Sequence, residues 1–248
     1  MASKSRSGHL VVSVDIPRVV ESDSAGLNQV IDLLNQHRCP ATWSVEDPVG
    51  RAADQVRERI SGVAHEIALL GEEKWLGKQA SRSRMADMLG QKTLAARAAG
   101  LQISTLAFRK GTVSEHLDVL ATNRIRIVRD AATVQENQQG SLSQKSVRHD
   151  LWQAPPVSHV TQPGSWWQTV RAKRSYVKKV AQGGGLHLCL DSSNVTNGHV
   201  ESLDETLGDL LQPHRRQNLT LSTLADLAEH YAPTRITGPT RSILRRAA

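Results

Sequence analysis

The chain has 248 residues, 39% of them hydrophobic and only 3% aromatic, with one Phe and five Trp, so aliphatic side chains must fill the core of one large α/β domain or two small ones. Net charge is +7, yet much of the excess lies in Lys4 and Arg6 at one end and Arg235, Arg241, Arg245 and Arg246 at the other, a pattern of solubilising tails more than of a nucleic-acid surface. No apolar run approaches membrane-spanning length, and the polar residues 1–8 lack the apolar core of a signal peptide.

From His9 to Pro17 the sequence reads HLVVSVDIP. Leu10, Val11, Val12 and Val14 form a branched apolar run, which suits a strand buried on both faces of a parallel sheet. Pro17 cannot donate to a ladder and stops it. Asp15 stands at the C-terminal end of this strand, where α/β barrels place their chemistry. Capping of the following turn accounts for the same residue equally well. Asp23 and Ser24 can cap a helix whose apolar face is Leu27, Val30, Ile31, Leu33 and Leu34, ending near Arg38 before Pro40.

Residues 41–45 read as a second buried strand, closed by Glu46, Asp47 and Pro48. A helix follows over 50–60, then a third strand over 65–70 that ends at Gly71, Glu72 and Glu73. Residues 81–99 give the clearest helix, with Met85, Met88, Leu89 and Leu94 apolar and Gly100 as its stop. A fourth strand is expected over 101–108, ahead of Arg109, and a helix over 116–122. A fifth strand over 125–128 ends at Arg129 and Asp130. This repeated alternation predicts parallel βαβ units wrapped as a barrel.

Residues 131–149 lack periodicity and are rich in Gln, Ser and Asn, which predicts an exposed loop or insertion. A strand is expected within 151–157. Residues 166–181 read as a helix with a basic outer face (Arg171, Lys173, Arg174, Lys178 and Lys179), a solvated face more readily than a nucleic-acid contact. Trp166 and Trp167 suit either a sugar-stacking platform or the apolar side of that helix start. Gly183 to Gly185 do not fit a dinucleotide fingerprint, because no strand precedes them and no helix follows. A buried strand over 186–190 ends in Asp191, Ser192, Ser193 and Asn194. A helix over 202–211, a short strand over 219–221 and a helix over 224–231 complete the order. Cys39 and Cys189 fall in or beside apolar runs without metal-type spacing, which predicts buried thiols and a reducing, cytoplasmic setting.

Five of these segments, in order, resemble the polysaccharide deacetylase (NodB homology) family of metal-dependent carbohydrate esterases. Ser13-Val14-Asp15-Ile16-Pro17 is similar to the family's TFDDG. Pro40-Ala41-Thr42-Trp43-Ser44 is similar to PATFF. Ala64-His65-Glu66-Ile67-Ala68 matches the GHEI opening of the segment that leads to a His-x-x-x-His pair. Phe108-Arg109-Lys110-Gly111 is a shortened form of the arginine motif, and His187 to Asn194 resembles a late strand of some members. The resemblance covers about residues 9–230 and implies a distorted (β/α) barrel of the deacetylase type.

The departures carry the functional reading. The resemblance maps the family's general base onto Asp15, but the second Asp onto Ile16 and the two ligand His onto Leu70 and Lys74. Ile and Leu offer no lone pair and Lys brings a positive charge, so no metal and no other cofactor is expected. Without a Lewis acid the family's deacetylation should fail. Asp15, Glu46, Glu72, Glu73, Arg109, Asp130 and Asp191 all fall at strand ends facing one mouth. Asp15 and Arg109 are the candidate vestigial or rebuilt catalytic pair, and Glu46, Glu72, Lys74, Asp130, His187 and Asp191 the candidate ligand-binding set. The plainer alternative is that the carboxylates pair with Lys74, Arg109 and Arg129. A lysine at a former ligand position suggests that Lys74 holds Asp15 ionised, with Arg109 sharing it. For His65 and His187 a core histidine bonded to its neighbours is the commoner role.

The expected organisation is a flexible tail over 1–8, one deacetylase-like barrel over 9–232 and a basic tail over 233–248. Three functional readings stay open. The first is a catalytically degenerate, deacetylase-like protein that binds a carbohydrate or other polar ligand at the former mouth. The second is a metal-independent carbohydrate-active hydrolase using strand-end carboxylates. The third is a polyanion or nucleic-acid binder acting through the basic ends, against which the lack of interleaved aromatics counts.

Overall fold

Along β1 (Gly8–Ile16) every residue is buried, but its two faces differ. Leu10, Val12, Val14 and Ile16 point into the main apolar core, while Ser13 and Asp15, in the opposite phase, belong to a polar interior. Successive side chains of a strand alternate between faces, so one sequence of nine residues supplies two environments. The computed structural model describes residues 8–17, 24–76, 81–111, 113, 115–130, 144–145, 149, 151–154, 157–159, 171, 174–178, 180, 185–212 and 219–231.

The elements after β1 are α1 (Ser24–Gln36), β2 (Thr42–Val45), α2 (Arg51–Arg59), β3 (Glu66–Leu70), α3 (Arg82–Ala98), β4 (Thr105–Ala107), α4 (Leu117–Thr122), β5 (Ile127–Arg129), β6 (Gln144–Lys145), β7 (Trp152–Gln153), β8 (Val157–His159), β9 (Gly185–Asp191), α5 (Asn197–Leu210), β10 (Leu219–Ser222) and α6 (Leu224–Tyr231). The sheet order is β6-β7-β5-β4-β3-β2-β1-β9-β8, with β10 also paired to β1. All pairs are parallel except β6 with β7. Three differences from the sequence reading stand out. The strand expected within 151–157 is two short strands, β7 on β5 and β8 on β9. The helix expected from 202 begins at Asn197, because Thr196 and His199 form a capping box that nucleates it earlier. The fifth strand runs through Arg129, so its side chain lies within the sheet instead of in the following turn.

The sheet is curled, and one contact requires it. β5 lies four strands from β1. At the usual inter-strand spacing that is about 19 Å along a flat sheet. Arg129 of β5 nevertheless reaches Asp15 of β1 at 2.6 Å, so the strands must close round a common interior. Helices cover the outer face, where Leu10, Val12, Val14, Trp43, Val45, Leu69, Leu106 and Leu188 pack with Leu27, Ile31, Leu34, Val56 and Leu89. Burying each such aliphatic side chain contributes roughly 1.5–3 kcal/mol before chain entropy is counted. Just after β3, Gly71 N–H donates to the Ala107 carbonyl of β4 at 2.7 Å. A Cβ there would run into the Phe108 ring, which packs directly beneath the end of β3.

α6 plugs the N-terminal end of the curl. Leu224, Leu227 and Ala228 pack inside it on Val11, Ile127 and Ala154. The first amides of α6 find acceptors within the barrel: Leu224 N–H donates to Thr42 Oγ1 at 2.9 Å, and Ala225 N–H to Glu66 Oε2 at 2.9 Å. A carboxylate is well placed at a helix N-terminus, and here it comes from the sheet. Burial pushes the Glu66 carboxyl above its usual range, and the bonds from Thr105, Ala225 and Thr42 only partly offset this. Among the described residues no helix is long and apolar enough to cross a membrane. Residues 1–7 and 232–248, which hold the basic ends, lie outside the described residues, as do Trp166, Trp167 and most of 131–149.

Candidate functional site

The polar interior at the C-terminal half of the strands centres on one ion pair. Arg129 Nη2 lies 2.6 Å from both Oδ1 and Oδ2 of Asp15. The two residues are 2% and 4% exposed, so the pair is buried. Arg129 Nη1 donates to Ser13 Oγ at 3.0 Å and to Cys189 Sγ at 2.9 Å, and Nη2 also reaches the Phe108 carbonyl at 3.4 Å. Ser13 Oγ is in turn 2.8 Å from His187 Nε2. Register explains the gathering: Ser13 pairs with Cys189 and Asp15 with Asp191 across β1 and β9, so these side chains share one face.

Burial pushes the Cys189 thiol up to about 12, with the Asp15 carboxylate adding to the rise and the Arg129 charge opposing it. Cys189 is therefore a protonated, unreactive thiol at neutral pH. Burial works against the Arg129 charge, but its neighbours more than offset that and raise its pKa. Since the thiol stays neutral, Asp15 supplies the counter-charge. Arg129 Nε and Ser44 Oγ are buried without a hydrogen-bond partner among the described residues.

The rim above this layer is a set of separate pairs. Arg109 forms an ion pair with Asp191, which joins the end of β4 to the end of β9. Asp191 Oδ1 also takes the Ser193 N–H at 3.1 Å and its hydroxyl at 2.6 Å. Lys74 pairs with Glu72. Glu72 also lies 3.6 Å from Lys92 Nζ, which sits 5.5 Å over the Trp75 ring. Asp130 accepts from Val113 N–H at 2.9 Å and from Gln153 Nε2 at 2.8 Å, and burial pushes its carboxyl above the usual range. Glu46 stands apart, half-buried on the wall of a cavity of about 670 Å³ between the ends of β1 and β2 and helices α2 and α3.

The expected contact between Lys74 and Asp15 is not made. The turn Glu73–Trp75 buries Trp75 and leaves the Lys74 side chain 45% exposed, beside Glu72. Arg109 likewise serves Asp191, not Asp15. The plainer alternative, pairing with a strand-end arginine, describes Asp15 correctly, and the arginine is Arg129. Cys189 is the buried thiol expected from sequence, but neither its place beside Asp15 nor Ser13 was singled out there. Their signal was the two-residue phase they share with Asp15 and His187. His187 is fully buried and bonds within the core. His65 is a bracing residue whose Nδ1 accepts from Ala41 N–H and Trp43 Nε1–H, each at 3.2 Å.

The donor set does not fit the divalent ion that the resemblance implies. Ile16 lies in the apolar outer core, Leu70 is 1% exposed and without a lone pair, and Lys74 is a cation held by Glu72. Among the described residues no three His, Cys, Asp or Glu side chains group as a metal site. Both oxygens of Asp15 are already taken by Arg129.

No family model and no curated protein matches this chain. Solved structures do. A Mycobacterium smegmatis protein assigned as a polysaccharide deacetylase superposes with a TM-score of 0.69 at 14% identity, over 93% of this chain and 92% of that one. Puue allantoinase gives 0.67 at 10% identity, over 94% and 93%. A CE4 family pseudoenzyme from Bacillus anthracis gives 0.53 at 14% identity, over 88% of this chain and 65% of its own. At such identities the likeness speaks for architecture, and the architecture of this chain is the (β/α) barrel of the polysaccharide deacetylases.

Proposed function

We propose that this protein is a catalytically degenerate, deacetylase-like protein that binds a carbohydrate or similar polar ligand at the former active-site mouth. The observation that carries the reading is the buried Asp15–Arg129 pair, in which a single guanidinium nitrogen, Nη2, holds both carboxylate oxygens. A general base needs a free lone pair within reach of the proton it takes. Asp15 has both oxygens on a guanidinium, is 4% exposed, and stands beside apolar Ile16 in place of a second carboxylate. The rim, by contrast, keeps donors and acceptors of both signs at least partly exposed, in Arg109, Asp191, Glu72, Lys74 and Gln153. A polar rim without a working base supports binding rather than turnover.

The metal-independent hydrolase draws on Asp130, whose raised carboxyl pKa is a property of general acids. Its two oxygens already accept from Val113 and Gln153, however, which leaves it poorly placed to serve a substrate. The test is a pair of measurements on the full chain. Acetate release from acetylated sugar oligomers, with and without added zinc, cobalt or nickel, should stay at background. Titration with sugar oligomers should shift backbone resonances at the strand ends in a saturable way. Metal-stimulated acetate release that disappears in Asp15→Asn would overturn the reading.

A further inference from the structure

We infer that α3 is the seam of a two-fold homodimer, in which two copies of this helix pack antiparallel through Ser83, Asp87, Gly90, Leu94 and Arg97. The helix has 17 residues, and its buried side is Met85, Leu89, Thr93 and Ala96. The opposite side carries Leu94, 65% exposed; with Val49, at 39%, it makes up the exposed large hydrophobics among the described residues. A single exposed leucine is ordinary on a protein surface. The residues around this one, however, form a pattern. Ser83, Asp87 and Arg97 are exposed and Gly90 is half-buried. With Leu94 they recur at steps of four, three, four and three residues. They therefore form one stripe, about 21 Å long at the helical rise. A mean repeat of 3.5 residues keeps such a stripe facing a second helix along its whole length. The stripe lies on the outer helix layer, away from the polar interior, and is independent of the ligand-binding reading above.

The stripe is complementary to itself. Asp87 and Arg97 have the same midpoint along the helix as Gly90 and Leu94. A two-fold axis through that point sets Leu94 of each copy over Gly90 of the other. It also sets Asp87 of each copy opposite Arg97 of the other. Every contact across such an axis is made twice. The apolar knob thus meets the smallest residue of the facing helix, and an opposite-charge pair closes each end. Gly90 is a second, separate observation. Its backbone lacks the positive φ that would call for glycine. A Cβ there would meet only Asn123 Oδ1, at the ordinary distance of 3.7 Å. The fold of one chain therefore does not require glycine here, and glycine inside a helix is destabilising relative to alanine. Close approach of a second helix backbone is a reason for it. Antiparallel packing also sets the two helix dipoles head to tail. One helix face covers less than the roughly 800 Å² per partner of a standard interface, so this dimer is of the weak, reversible kind.

The experiment is sedimentation equilibrium of the full chain from about 1 μM to about 1 mM, where interfaces below the standard size dissociate. The mean mass should rise with concentration from that of one chain toward that of two. Asp87→Arg alone and Arg97→Asp alone should each weaken association roughly tenfold or more, because like charges then face each other at both ends. The double variant should restore association, since each pair is rebuilt with its signs exchanged. Leu94→Ser should abolish the dimer with little change in melting temperature, as expected of a surface position. Gly90→Ala should weaken association roughly tenfold or more while raising the melting temperature of the dilute monomer. A glycine with a purely structural role would not give that split. A chain that stays monomeric over the whole range would overturn the inference. So would a dimer unaffected by Gly90→Ala, or a double charge variant that stays monomeric.

Discussion

Arg129→Met tests the central ion pair directly. The substitution keeps most of the side-chain volume and removes the charge, so Asp15 is left 4% exposed with no cation. The other groups around it cannot compensate: Ser13 and Cys189 are neutral, and Arg109 and Lys74 are held by Asp191 and Glu72. Breaking a buried pair by deleting one partner costs about 3–5 kcal/mol, because the remaining charge is uncompensated. For a chain of this size that corresponds to a fall in Tm of roughly 6–20 °C. Asp15→Leu should cost a similar amount by orphaning the guanidinium. Combining the two removes both charges, and the double variant should recover most of the loss, since apolar replacement of a buried pair is often near neutral. The measurement is a double-mutant cycle by urea unfolding at neutral pH. A coupling of about 2 kcal/mol or more is expected. If the two single effects add within about 0.5 kcal/mol, the pair is not an energetic unit and the reasoning fails.

Three further outcomes follow from the same geometry. Lys74→Met should change stability by less than about 0.5 kcal/mol, because the side chain is 45% exposed; a loss of several kcal/mol would return Lys74 to the interior. Thr42→Val deletes the acceptor of the Leu224 N–H and the donor to Glu66 at 2.8 Å, so it should cost about 1–3 kcal/mol and raise amide exchange in α6 before the strands. His9 is buried against His230, with ring centroids 5.3 Å apart, and burial, then the charge of His230, lowers its pKa below the ordinary 6.5. A depressed histidine contributes stability that is present above its unfolded value and lost as pH falls from there through the folded value. Stability should therefore decline below about pH 6.5. His9→Gln should flatten that limb, and an unchanged slope in the variant would count against this account.

The strands were legible because branched apolar runs bounded by Pro and Gly leave little choice. Their polarity was harder to read. Ser13 and Asp15 in β1, Thr42 and Ser44 in β2, Glu66 in β3 and Thr105 in β4 are all buried, and each looks like an isolated polar residue within an apolar run. Only the curl brings them to one interior, since strands four apart in the sheet do not meet when it is flat. That is why Arg129 was ranked with two exposed cations. The Lys74 expectation failed for a local reason. Trp75 is the larger apolar group, and the turn that buries it directs its neighbour to solvent. The helix start at Asn197 was hidden because a histidine in place of the usual Glu or Gln completes the capping box with Thr196.

The inventory of the guanidinium explains why this interior suits structure more than catalysis. An arginine has five N–H donors and no acceptor. Here Nη2 serves the two oxygens of Asp15 and approaches the Phe108 carbonyl, while Nη1 serves Ser13 and Cys189. The remaining donor, Nε, is buried and has no partner among the described residues. The Nη donors are thus committed to the protein, and the one donor left, Nε, is buried. A divalent ion keeps an open coordination position for substrate or water; a forked cation in this arrangement spends its Nη donors on the protein. The neutral thiol of Cys189 and the buried Ser13–His187 contact add no accessible nucleophile. The groups still able to meet a ligand are therefore those outside the buried layer, on the rim.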